Sequence, residues 1–140
     1  MNDMKRYKLS GVFASVLLIF SIFTLLSISE VNADEAISVS AKSYQNTIII
    51  EFENESASKI KTIKMWLGGD ATFKSFKVES DWGYAPNSNL VVFTATNTLN
   101  PGESVKFGLI TNEKVTGINW KALDPNDNDI DIGKISIQVI

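Results

Sequence analysis

The chain has 140 residues, room for one domain, with 44% hydrophobic and 21% charged residues and a formal net charge of −3. It contains no Cys, no His and a single Arg, Arg6. That composition excludes disulfides, thiol nucleophiles, imidazole bases and the usual zinc, copper and haem ligands. The charge leaves no basic footprint for nucleic acid.

Lys5, Arg6 and Lys8 precede an uncharged apolar run from Gly11 to Ile28, and Ser29-Glu30-Val31-Asn32-Ala33-Asp34 follows. This is a positive region, an apolar region and a small-residue cut site, with Val31 at −3 and Ala33 at −1. It predicts a signal peptide over residues 1–33, cleaved after Ala33, and a mature chain over 34–140. Ala36 offers a second cut three residues on. The same run is just long enough to stay as a membrane anchor. Cleaved or retained, the leader puts the rest of the chain outside the cytoplasm, secreted or attached to the cell surface, because the basic cluster precedes the apolar helix. A third reading is a pilin-type leader, cut before the apolar helix, which then assembles into a filament.

Beyond the leader, apolar residues recur with period 2, the pattern of half-buried strands. Ile37, Val39 and Ala41 begin the series; Ile48, Ile50 and Phe52 follow, with Ile49 breaking the outer polar face. Ile63, Met65 and Leu67 come next, then Phe76 and Val78, then Val91, Phe93 and Ala95. Val105, Phe107 and Leu109, then Ile118, Trp120 and Ala122, then Ile135, Ile137 and Val139 complete eight candidate strands. Turn chemistry separates them: Gly68-Gly69-Asp70, the stretch Ala85 to Asn89, Thr116-Gly117 and Ile132-Gly133. Asn100-Pro101-Gly102-Glu103 places Pro and Gly as a type II turn requires. Short strands so punctuated predict an all-β, immunoglobulin-like antiparallel β-sandwich of seven to eight strands. Its core should hold Ile50, Phe52, Ile63, Met65, Phe76, Val91, Phe93, Phe107, Leu109, Trp120 and Ile137.

The stretch Leu99 to Phe107, LNPGESVKF, resembles the turn-into-strand of immunoglobulin-like and fibronectin-III-like domains. Together with Trp82 and the segment Gly117 to Asp124, GINWKALD, it is similar to small exported β-sandwich proteins of ammonia-oxidising archaea. The similarity covers roughly residues 61–133. It implies the sandwich fold and export, and it brings no catalytic residues. Some of those relatives end in a C-terminal sorting helix, which has no counterpart before Ile140.

Three features are candidates for function. Asp124, Asn126, Asp127, Asn128, Asp129 and Asp131 crowd one acidic stretch, and hard cations such as calcium take such oxygens. Asp124, Asn126 and Asn128 start an EF-hand spacing, but Asp129 stands where Gly is needed and Ile135 where Glu is needed. The competing reading is a solvated turn in which Asp and Asn bond their own backbone. Trp66 falls on the polar face of its strand, and Trp82 and Tyr84 fall in the polar stretch Ser80 to Pro86. Exposed, these aromatics would hold a protein partner or stack on sugars; alternatively, Trp82 covers the open end of the core. Asn54-Glu55-Ser56 is a glycosylation sequon. No serine has a base beside it in any nucleophile motif.

The function expected from these residues is non-catalytic and needs no cofactor. It is protein interaction, adhesion or accessory-subunit duty at the cell surface. A carbohydrate-binding module and a pilin-like filament subunit are the alternatives. The partner would be a protein or cell-surface component, or a glycan. Nucleic acid is not expected, and a membrane is contacted only through an uncleaved N-terminal helix.

Overall fold

The computed structural model describes residues 36–140, which belong to one compact unit, Glu35–Ile140. The leader and its Ala33 site lie outside the described residues. Ten strands follow in chain order: β1 (Ile37–Tyr44), β2 (Thr47–Asn54), β3 (Ile60–Trp66), β4 (Phe73–Lys77) and β5 (Trp82–Asn87). Then come β6 (Leu90–Leu99), β7 (Ser104–Thr111), β8 (Gly117–Leu123), β9 (Asp129–Ser136) and β10 (Gln138–Val139). Two five-stranded sheets result, one ordered β9-β8-β3-β6-β5 and the other β10-β1-β2-β7-β4. All pairings are antiparallel except β10 with β1.

The chain crosses between sheets from β2 to β3 and from β7 to β8, while β8 and β9 form a hairpin. Strands β1, β2 and β7 thus occupy the A, B and E places of one sheet, and β3, β8 and β9 the C, F and G places of the other. The fold is an immunoglobulin-like sandwich.

The inner faces carry the residues whose period predicted them. Ile50, Phe52, Ile63, Met65, Val91, Phe93, Phe107, Leu109 and Trp120 are all buried. Phe76 and Ile137 are half-buried, because Phe76 lies on the edge strand β4 and Ile137 where the chain passes from β9 to β10. The Pro101-Gly102 turn closes as expected: Gly102 has φ 89° and the Glu103 N–H donates to the Asn100 carbonyl at 3.0 Å. Such a φ suits Gly.

Two expectations need correction. The stretch Trp82–Asn87, expected as a polar loop running into a turn, is the edge strand β5, where the missing N–H of Pro86 is tolerated. The terminal strand expected over Ile135 to Val139 is two strands in different sheets, parted at Ile137.

Gly133 lies opposite Trp120 across the β8–β9 ladder, and the indole covers it. A Cβ at position 133 would stand 3.0 Å from Trp120 Cζ2 and 3.2 Å from Cε2 and Nε1. Gly133→Ala should therefore cost about 1–3 kcal/mol through displacement of that ring. Urea unfolding of the pair measures it, and equal midpoints would contradict the packing argument.

Candidate functional site

The three aromatics proposed as a common binding surface do not share one. Trp82 points inward and is 8% exposed, with its ring edge-on to Phe107 at 5.2 Å. This corrects its reading as an exposed ligand-binding side chain: as the first residue of β5 it pairs with Ala95, on the inner phase. Tyr84 follows two residues on, in the same phase, and its ring lies 4.8 Å from that of Phe76. It is 47% exposed and closes the open side between the edge strands β5 and β4. Trp66 alone is on an outer face, half-buried, between Leu90 and Asn119 in register. Asn119 Nδ2 donates to the Trp66 carbonyl at 3.3 Å.

The sequon asparagine is also not where its proposed chemistry needs it. Asn54 is wholly buried. Its Nδ2 donates to the carbonyls of Ser58 at 2.8 Å and Leu99 at 3.0 Å. Its Oδ1 accepts the Ser56 N–H at 3.0 Å and the Ser56 hydroxyl at 2.6 Å. Both amide hydrogens are used, and an N-linked glycan replaces one of them, so a glycan on Asn54 requires giving up at least one of these bonds. Asn54 is a clasp joining the end of β2, the following loop and the end of β6.

The acidic stretch is shorter as a loop than expected, since Asp129 and Asp131 already belong to β9. Asp124 organises the turn. Its Oδ1 accepts the N–H groups of Asn126 at 2.8 Å and Asn128 at 2.9 Å, and its Oδ2 faces Asn128 Nδ2 at 3.4 Å. Asp127 takes φ 64°, a conformation Asp tolerates. Asp129 pairs with Lys121 at 3.1 Å, and Asp131 accepts the N–H of Ile132 at 2.9 Å. Among the described residues no three His, Cys, Asp or Glu side chains converge on a point that would hold a metal ion. Micromolar calcium should leave the melting temperature unchanged; a rise of several degrees would reveal a site.

The Asn128 N–H is the chief cause that holds the Asp124 carboxyl below its usual 3.8; partial burial opposes it, and Asn126 N–H and the Asn128 amide reinforce it. A depressed pKa means that the turn is stabilised in full above 3.8 and loses that stabilisation as pH falls through the lower folded value. In an NMR titration the Asn126 and Asn128 amides should shift with a midpoint below 3.8. A midpoint above it would contradict the assignment.

Two of the depressions on the described residues contrast in their lining. One lies at the end of the sandwich beside Trp82, about 420 Å³, lined by Glu79, Ser80, Asp81, Asn97 and Glu103 among others. It is polar and acidic. The other lies on the outer face of the β10-β1-β2-β7-β4 sheet and is apolar, with two adjoining lobes of about 300 and 220 Å³ that share Ile49, Lys77 and Gly108. Ile49 (46% exposed) and Ile110 (38%) line it, and Tyr44 (65%) is exposed on the same face, opposite Thr47. Register places Gly108 between Ile49 of β2 and Lys77 of β4, and it forms a close-packed floor, since a Cβ there would stand 3.3 Å from Lys77 Cβ and 3.8 Å from Ile49 Cδ1. Sequence reasoning noted the break at Ile49 and passed over Ile110, which also stands in the polar phase of its strand.

No protein-family model and no curated protein matches this chain. Solved structures similar to it include a non-cellulosomal cohesin from the archaeon Archaeoglobus fulgidus, 13% identical, covering 76% of this chain and 92% of that one, TM-score 0.45. An uncharacterised immunoglobulin-like protein from Nocardia farcinica is 12% identical, covering 71% and 97%, TM-score 0.49. The chitin-binding domain of a chitinase from Pyrococcus furiosus is 22% identical, covering 67% and 95%, TM-score 0.45. The strand topology, and not these likenesses, assigns the fold.

Proposed function

We propose that this chain is a non-catalytic, extracytoplasmic β-sandwich that works through protein contact, in adhesion or as a subunit of a surface assembly. The observation that carries it is the apolar hollow edged by Ile49 and Ile110, with Tyr44 exposed on the same sheet face. A solvent-facing antiparallel sheet ordinarily alternates apolar-in with polar-out. Here β1, β2 and β7 each break that rule at neighbouring positions on one outer face. Contiguous exposed apolar surface of this kind marks interaction sites. The signal-peptide pattern ending at Ala33 and the resemblance to exported archaeal sandwich proteins support the surface location. Separation of Trp66, Trp82 and Tyr84 removes the shared aromatic platform on which a carbohydrate module would depend. The test is capture of partners from a surface fraction by the protein and by Ile49→Ser/Ile110→Ser. Loss of the same saturable partner in the variant, with its melting temperature retained, is expected. Saturable glycan binding indifferent to that variant would overturn the reading.

A further inference from the structure

The register of the outer face identifies what fits it, on the reading that this face makes protein contacts. Strand pairings align its side chains in rows across the sheet. One row runs Tyr44, Thr47, Ile110, Ser75, and it holds no charge. The next runs Lys42, Ile49, Gly108, Lys77, with the hollow over Gly108 and a lysine at each side. Same-face rows are ~7 Å apart.

We propose that the occupant is a second copy of this chain, docked face to face about a two-fold axis that runs across the strands between these two rows. A two-fold so placed lays each row on the other row of the partner copy. On β7, Ile110 of each copy then enters the hollow over Gly108 of the other. On β2, Ile49 lies against Thr47. On β1, the Lys42 ammonium lies against the Tyr44 ring, a cation–π arrangement. On β4, Lys77 meets Ser75.

The charges favour this register over one centred on the lysine row. A two-fold centred on the lysine row would bring like charges together, whereas this one lays both lysines on the uncharged row. The knob and its hollow lie two residues apart on the same strand, so one operation satisfies both copies. Two packed sheets separated by ~10 Å leave a side chain's depth between them, and Ile110 and the hollow supply it. An acidic protein partner is the competing occupant, drawn by Lys42 and Lys77. It would bind less well as salt rises, whereas the two-fold contact pairs no opposite charges and should be nearly indifferent to salt.

The test is sedimentation equilibrium of residues 35–140, whose core is complete within that unit, at low and high salt and up to about 1 mM protein, where even a millimolar Kd is visible. A monomer–dimer equilibrium is expected, with little salt dependence. Ile110→Ser removes the knob, and Gly108→Leu puts a side chain into the hollow at the cost of a 3.3 Å approach to Lys77 Cβ. Each should raise the dimer Kd at least about tenfold. Thermal melts confirm that both variants fold, and amide shifts on dilution should map to β1, β2 and β7. A monomer at every concentration overturns the proposal. A dimer that ignores both variants, or growth beyond two copies, overturns it equally. If the protein stays monomeric yet captures a partner that Ile110→Ser releases, the two-fold fails and the protein-contact reading stands. If capture fails as well, both fall.

Discussion

Phe107→Ala should unfold the domain under conditions in which the parent is stable. The ring is fully buried at the centre of the sandwich and joins both sheets through three aromatic neighbours. It stacks on Phe93 at 4.2 Å and meets Trp82 at 5.2 Å and Phe52 at 6.0 Å edge-on. Truncation removes transfer free energy and leaves a cavity that rigid sheets cannot close, a cost of about 3–5 kcal/mol. The lost ring pairs place the result at the upper end. A domain of ordinary stability holds about 5–15 kcal/mol, so a third or more of its margin goes. Urea unfolding measures the loss, and a value below about 2 kcal/mol would show that the aromatic cluster collapses around the gap.

Asn54→Ala is expected to cost about 2–4 kcal/mol, although it deletes no apolar packing. The substitution strips both hydrogen bonds that Nδ2 donates and leaves the Leu99 carbonyl without this partner in the core. A buried polar group left unsatisfied costs about 1–3 kcal/mol by itself. The loop after β2 also loses its anchor, because the Ser56 N–H and hydroxyl both depend on Asn54 Oδ1. At roughly 4–8 °C per kcal/mol for a domain of this size, the melting temperature should fall by about 10–25 °C. Asn54→Asp separates the bonds: it keeps an acceptor for Ser56 and lacks the amide donors, so it should be as damaging as Ala or more so. An unchanged melting temperature in both variants would return Asn54 to the surface and restore its sequon.

The strands were legible because their cause is local. Alternation of apolar and polar side chains is written residue by residue, and burial on one sheet face follows from it. Ile50, Phe52, Ile63, Phe93, Phe107 and Trp120 are buried for that reason. The type II turn at Pro101-Gly102 was equally legible, since φ preference belongs to the residue itself. Only tertiary structure decided the rest. Pro86 reads as part of a turn, yet an edge strand has a free side on which a missing N–H costs nothing. Trp82 read as a polar-loop aromatic, and pairing with Ala95 turned it inward. A sequon reads the same whether its asparagine is free or clasped, because Leu99 lies 45 positions away in the chain. The outer-face hollow depended on the same kind of distance. Ile49, Gly108 and Lys77 are unrelated in sequence and become neighbours because β7 is paired on both sides, with β2 and with β4. Period 2 sets which face a residue occupies, but register between strands decides which residues share a row, and register is a property of the assembled sheet.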